Sequence, residues 1–455
     1  TDKLQKLSEE DWQLALYNLR TANLLAGKDP LRPDMLDCHP LVREHFGEKL
    51  KKEKPEGWKT AHKRLYQYYK ELPEKELPDT LREMEPLFAA VAHGCSAGLH
   101  QEALYDVYWK RIRRGEEAYT VHKLGAFGAD LSALSHFFEK PWTQPAAGLP
   151  DHDKAGVLSL TAFVLRAVGR LHEAIQPMKV ALEKNIKREN WAEAARIASN
   201  LSELMLTLGK VEEAVSYARQ GLTHADKSGN DFLKEVLRAA LADALHQAGQ
   251  LEEAEQWFRE AEELQKKRQP EYPFLYSLQG YRYCDLLLGQ GKYNEVMERA
   301  EKTLEWAIQQ GVSLLDIAIN NLSLGRVWMM KLETEGSSDF TRAMEYLDQA
   351  VTGLREAGTN DHLPRGLLVR AECYRLMKQF SSAWDDLEEA EEIAELGSMK
   401  LYLCDYHLEA GRLYLAEKKN KQADHHFSIA KEMIEETGYF RRKNEVGSWQ
   451  LAVGK

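Results

Sequence analysis

Apolar residues recur along most of this chain at helical spacing, three or four positions apart, and alternating β-branched runs are nearly absent. The pattern predicts an all-α protein built from paired amphipathic helices. Within it a unit repeats. Gly169, Gly209 and Gly249 each precede an alanine by five positions (Ala174, Ala214, Ala254) and are spaced by 40 residues (209 − 169, 249 − 209). Gly98 with Ala103 is an earlier copy, and Gly291 with Val296 is a weaker one. Later copies keep only the small residue, at Ala343, Ala383 and Ala423, again 40 apart (383 − 343, 423 − 383).

Each copy has one layout. An apolar run such as Leu201, Leu204, Met205 and Leu208 precedes a glycine that takes the tight turn. A small residue then lets a second antiparallel helix approach closely. A bulky filler follows (Met178, Phe258, Leu347, Leu387, Phe427), and three positions later another small residue (Ala181, Ala261, Ala350, Ala390, Ala430). The first helix carries a small position at Ala162, Ser202, Ala242, Cys284, Gly325, Ala371 and Gly411, and a large one three later, from Leu165 and Met205 to Tyr374 and Tyr414.

These residues resemble the tetratricopeptide repeat, in about seven copies over 155–435. The unit is longer than the usual 34 residues, and in this it resembles the long-helix arrays of bacterial signal-transduction ATPases of the STAND class. The implied fold is a right-handed TPR-like α-solenoid. Its first helices line a concave wall, and such walls bind extended peptides or loops. The residue after each small position then faces inward: Phe163, Glu203, Asp243, Asp285, Arg326, Glu372 and Arg412. His246, Tyr281, Arg282, Arg375, Arg166, Arg196 and Asp405 lie nearby. Such a charged stripe reads either as a plain solvated face or as a binding wall. As candidate partner-binding residues we take Glu203, Asp243, His246, Tyr281, Arg282, Asp285, Arg326, Glu372, Arg375 and Arg412. A protein or peptide trigger calls for a long open groove, whereas a small inducer calls for a closed apolar pocket with few polar groups. Tyr272, Phe274, Tyr276 and Tyr283 add an aromatic cluster, with Tyr283 read as core.

The front of the chain breaks the period. Ser8 caps a first helix ending at Gly27, His39-Pro40 opens a second, and a third covers about 56–70. The run Leu36-Asp37-Cys38-His39-Pro40-Leu41-Val42-Arg43-Glu44-His45-Phe46 resembles the winged-helix segment of the NACHT and NB-ARC signalling ATPases. That resemblance implies a nucleotide-sensing role for His39 toward a bound ADP, although Pro40 stands where the family has Asp. A simple helix cap is the competing reading. The sequence contains no GxxxxGK[ST] loop, so an upstream nucleotide-binding domain is an expected partner. The expected boundaries are a winged-helix-like domain over 1–78 and, over 79–150, a degenerate repeat with connecting helices and a Pro-rich loop. The superhelix takes 151–440 and a tail 441–455. Within the second segment, 83–98 and 99–112 read as a helix pair, and 116–138 as one further helix.

Composition narrows the chemistry. With 61 Lys and Arg against 72 Asp and Glu, the formal charge is −11, which argues against broad binding of nucleic acid. No apolar run approaches the ~20 residues of a membrane span. Five scattered cysteines, none in a CxxC pair, read as reduced thiols in a cytoplasmic protein. Cys404, His407, His425 and His426 lack the ligand spacing of a zinc site, and no catalytic signature is present, so neither a cofactor, a metal nor an enzymatic activity is expected. The start at Thr1-Asp2-Lys3, without Met, reads as a piece of something longer. Self-association through the terminal repeats, with Trp449 as a contact, is a further expectation.

Overall fold

The structure is a computed structural model that describes residues 7–27, 36–311, 313–336 and 339–446. Met35, Ser337, Ser338 and Trp449 lie outside the described residues. The fold is all-α, and the chain divides into two compact units, Thr1–Arg111 and Ile112–Lys455. No helix among the described residues is long and apolar enough to cross a membrane.

The first unit carries α1 (Glu9–Thr21), α2 (Pro40–Glu53), α3 (Pro55–Glu71) and α4 (Leu81–Ser96). Ser8 caps α1 as its position predicts, its hydroxyl accepting from the Asp11 N–H at 3.1 Å, but the helix stops at Thr21, short of Gly27. Thr80 and Glu83 close a reciprocal capping box at the start of α4. Tyr66 of α3 is buried against Gly94 of α4, where an added Cβ would lie 2.9 Å from the ring. The partner expected over 99–112 is a single turn, α5 (His100–Glu102), followed by a π-helix, Ala103–Arg113. The reason lies in the spacing. The buried pairs Ala103/Leu104, Val107/Tyr108 and Arg111/Ile112 recur every four residues, a period that drifts off a 3.6-residue face and stays closer to line on a wider turn.

In the second unit the helix expected over 116–138 is broken into α6 (Tyr119–His122) and α7 (Phe127–Ser135). Gly115 and Gly125 both adopt positive φ, which interrupts the α-helical path. The Pro-rich segment pairs β1 (Phe138–Lys140) with β2 (Gln144–Pro145), and Trp142 is docked on Phe138, ring centroids 5.7 Å apart.

Seven helix pairs follow: α8 (Asp151–Ala167) with α9 (Leu171–Lys187), α10 (Trp191–Thr207) with α11 (Val211–Ser228), α12 (Asp231–Gln247) with α13 (Leu251–Arg268), α14 (Ser277–Gly289) with α15 (Tyr293–Gln309), α16 (Leu314–Thr334) with α17 (Thr341–Glu356), α18 (Leu363–Leu376) with α19 (Phe380–Leu396), and α20 (Lys400–Ala416) with α21 (Asn420–Thr437). The small and bulky positions meet as their sizes require. A Cβ on Gly325 would lie 2.5 Å from Leu347, and one on Gly411 2.8 Å from Phe427, so the filler of each outer helix occupies the space a side chain on the inner helix would need. Tyr283 stacks on Phe258 at 4.9 Å in the core, as read from its spacing.

The coil meets itself. The turn of the first pair (Gly169) lies against Asn360, whose N–H donates to the Ala167 carbonyl at 2.8 Å. The turn of the second (Gly209) lies against Lys400 and Thr437, and that of the third (Gly249) against Phe440. Each partner lies 191 residues on (360 − 169, 400 − 209, 440 − 249). A fixed repeat length therefore delivers three equivalent contacts in register along one seam.

Candidate functional site

The inner helices α10 to α20 enclose a lumen of about 320 Å³. The sequence-predicted residues converge there. Glu203, Asp243, Tyr281, Arg282, Asp285, Arg326, Glu372 and Arg412 line it. His246 sits behind Asp285, its Nδ1 3.9 Å from the carboxylate, and Arg375 binds Glu409 from the side. Arg196 stays on the outside with Glu193. The lumen is a half-open chamber whose wall mixes charged and apolar side chains. Most of the charges on the inner wall pair with one another across the coil.

The pairing follows the alternation of acids in the middle repeats with bases at the ends. Arg282 bridges Glu203 (2.9 Å) and Asp243 (3.0 Å). Arg166 reaches Glu203 at 2.6 Å, and Arg326 reaches Asp285 at 2.7 Å. Arg412 joins Glu409 and Glu445. Sequence reasoning missed the segment after α21. Tyr439, Arg441, Arg442 and Glu445 fold back into the lumen, where Arg441 holds Asp285 and Gln247, and Arg442 holds Asp405 at 2.8 Å. The only sequence signal was the Gly438 stop followed by an aromatic pair and two arginines, which no repeat position accounts for. Arg365 was also missed, because it lies two turns before Glu372, the inward position that the repeat alignment compares on this helix. Its guanidinium donates to the Tyr402 hydroxyl at 2.7 and 3.0 Å, and lies 5.0 Å from the Tyr281 ring centre and 5.7 Å from that of Tyr402.

Burial sets the electrostatics, and partners reverse it where they are close. Desolvation would raise Glu203 and Asp285, yet Arg166 and Arg282 for the first, and Arg441 and Arg326 for the second, hold both well below the usual carboxylate range. Glu445, pulled down by Arg442 and Arg412 against its burial, lies at about 2. Asp243 and Glu372 are instead raised by burial, Glu372 further by Glu409. Burial lowers His246 to about 3, with Arg441 adding to the effect, and lowers His362 to about 4.

Both histidines are therefore neutral in the folded chain, while in the unfolded chain they take up protons near 6.5. The unfolded state binds the extra proton as pH falls below 6.5, so stability drops toward pH 4, where His362 protonates in the fold as well. Asp243 and Glu372 pull in the opposite direction, so the test is a difference. Replacing His362 with Asn is expected to remove about one proton from the pH slope. The gap in denaturation midpoint between wild type and His362→Asn should narrow steadily from pH 7 to pH 5. A constant gap would show that His362 titrates normally.

His39 caps α2, its Nδ1 accepting from the Leu41 N–H at 3.3 Å. His407 and His426 meet at 3.0 Å between ring nitrogens, and Cys404 is buried against the Ala430 carbonyl. Among the described residues no group of three or more His, Cys, Asp or Glu is placed to hold a metal ion.

Comparison with known proteins agrees with the repeat architecture. The tetratricopeptide repeat family model matches residues 237–268, which cover most of α12 and α13. No curated protein matches the chain. Among solved structures the chain is similar to a STAND protein with a tetratricopeptide repeat sensor from Pyrococcus horikoshii, at 16% identity and a TM-score of 0.41, over 91% of this chain and 57% of that one. It thus spans a little over half of that protein's length. It is also similar to a Rap protein complexed with competence and sporulation factor, at 14% identity and a TM-score of 0.46, over 79% of this chain and 98% of that one.

Proposed function

We propose that the repeat unit is the non-catalytic sensor region of a cytoplasmic signalling protein. In this reading its lumen takes up a short segment of a protein or peptide trigger, and occupancy regulates a nucleotide-binding module that this chain does not contain. The winged-helix reading of the front segment, with His39 as nucleotide sensor, belongs to the same proposal.

The observation that carries it is the imbalance left inside an otherwise self-paired lumen. Among the described residues, Arg365 makes no carboxylate ion pair, although every other guanidinium lining the chamber does. Glu372, seven residues along the same helix, has only Arg375 at 3.7 Å. Two helical turns separate them by about 10 Å. That spacing suits a trigger segment of two or three residues that brings a carboxylate to Arg365 and a hydrogen-bond donor to Glu372. The remaining predicted residues, from Glu203 to Arg412, form the walls around it. A second reading, a transcription activator that binds a small inducer, is favoured by the volume of the chamber, about 320 Å³, which suits a small molecule.

The test is affinity capture from the native host on wild type and on Arg365→Gln, with mass spectrometry of what is retained. The variant gives up the two hydrogen bonds to the Tyr402 hydroxyl, so its melting is measured beside the capture to establish that it is folded. One protein or peptide held by wild type and reduced at least tenfold on the variant supports the trigger. A co-purifying metabolite with no protein partner supports the inducer. Equal recovery on both proteins, or none on either, overturns the role given to this lumen.

A further inference from the structure

A second cavity of about 400 Å³ lies in the same unit, between the segment around α6 and α7, the end of α8, and the starts of α14, α16 and α18. Most of its wall is apolar, with Val121, Phe127, Phe163, Leu278 and Leu315. Three consecutive-turn residues of the α17–α18 junction break that surface. Thr359, Asp361 and His362 line the cavity and are 6%, 3% and 2% exposed. Among the described residues, Thr359 Oγ1, Asp361 Oδ1 and His362 Nδ1 have no hydrogen-bond partner. Three unmatched buried polar atoms within four residues are costly and mark a place where a ligand supplies what the fold does not.

The charge around them specifies its sign. Asp361 is one end of a linear chain of ion pairs, Asp361–Arg166 (3.3 Å), Arg166–Glu203 (2.6 Å), Glu203–Arg282 (2.9 Å) and Arg282–Asp243 (3.0 Å). Three carboxylates share two guanidiniums, and Asp361 has its second oxygen to spare at the cavity. Glu117, Lys123 and Asp316 complete the solvent-reaching charged lining, which leaves one carboxylate in excess.

We propose that this cavity binds a primary amine carried on a compact apolar body, with Asp361 Oδ1 and Thr359 Oγ1 accepting from the ammonium and Phe127 and Phe163 packing on the body. The site is distinct from the lumen. It touches it through Arg166 and Glu203, so an amine seated there draws Asp361 away from Arg166 and strengthens the claim of Glu203 on that guanidinium.

The experiment is calorimetric titration of the full chain with 2-phenylethylamine and tryptamine, and with 3-phenylpropionate as the matched anion. The amines are expected to bind with a Kd on the order of 1 mM, suited to their size, and the anion at least tenfold more weakly. Thr359→Val replaces an unpartnered hydroxyl by a methyl group, so it should fold at least as stably as wild type and still weaken amine binding about tenfold. Asp361→Asn should abolish the preference for amine over anion. Absence of amine binding at 10 mM (about ten times the expected Kd), equal binding of the anion, or a Thr359→Val variant that binds amine like wild type would each overturn the proposal.

Discussion

Replacing Asp285 with alanine is expected to destabilise the repeat unit by about 3–5 kcal/mol, the cost of leaving buried charge without its partner. Asp285 is 8% exposed and holds two guanidiniums at once, Arg326 from α16 and Arg441 from beyond α21. Neither has another carboxylate within ion-pair distance among the described residues, so both would be stranded. The loss should therefore exceed that of Arg326→Met or Arg441→Met, each of which leaves Asp285 with one partner. The double change Asp285→Ala, Arg441→Met should recover part of the single variant's loss, because it removes one of the two stranded charges. Urea denaturation of the four variants beside wild type checks this. If Asp285→Ala melts within about 1 kcal/mol of wild type, the value expected of a solvent-exposed pair, the lumen network does not hold the coil together.

Gly209→Val is expected to open the seam. Gly209 has φ +76°, so any β-branched side chain there is strained by about 1–2 kcal/mol. Its Cβ would also lie 2.6 Å from the Lys400 Cβ and 2.7 Å from the Thr437 Cγ2, which overpacks the contact by a further 1–3 kcal/mol or so. Gly291 provides the control. It has nearly the same backbone, φ +72°, but nothing stands within 4 Å of an added Cβ. Gly291→Val should therefore show the backbone strain alone. Small-angle scattering should report a larger radius of gyration for Gly209→Val and an unchanged one for Gly291→Val. Equal radii, with equal losses of stability, would mean that the seam contributes nothing beyond turn geometry. An opened seam also exposes the lumen, so the pair of variants separates binding through a closed chamber from binding through an open groove.

The helix pairs, their 40-residue period, the glycine turns and the small-to-bulky match between inner and outer helices were all legible in the sequence. These are local facts. A helix buries one stripe, and a residue's place on that stripe is fixed by the residues within two turns of it. For the same reason the helical spacing placed eight of the ten predicted positions, from Glu203 to Arg412, on the wall of one chamber, with His246 and Arg375 beside it. The front of the chain was legible to the same depth: Ser8 and His39-Pro40 start helices because capping is a property of a few neighbouring atoms.

What those inward charges meet was decided only by the tertiary structure. Whether Glu203 and Asp285 look into an open groove or at Arg282 and Arg441 depends on how far the coil turns per repeat. That small angle accumulates over seven pairs and is written in no single segment. It is what brings Gly209 to Lys400, 191 positions away, and folds Arg441 and Arg442 from an apparent tail into the lumen. The wide turn over Ala103–Arg113 and the break of the helix expected over 116–138 belong to the same class. So does the second cavity, since Thr359, Asp361 and His362 form a plain inter-helix junction until α6 to α8 close over them. Periodicity dictates the face a residue occupies, whereas the partner it finds there is set by summed rotations that only the assembled coil contains.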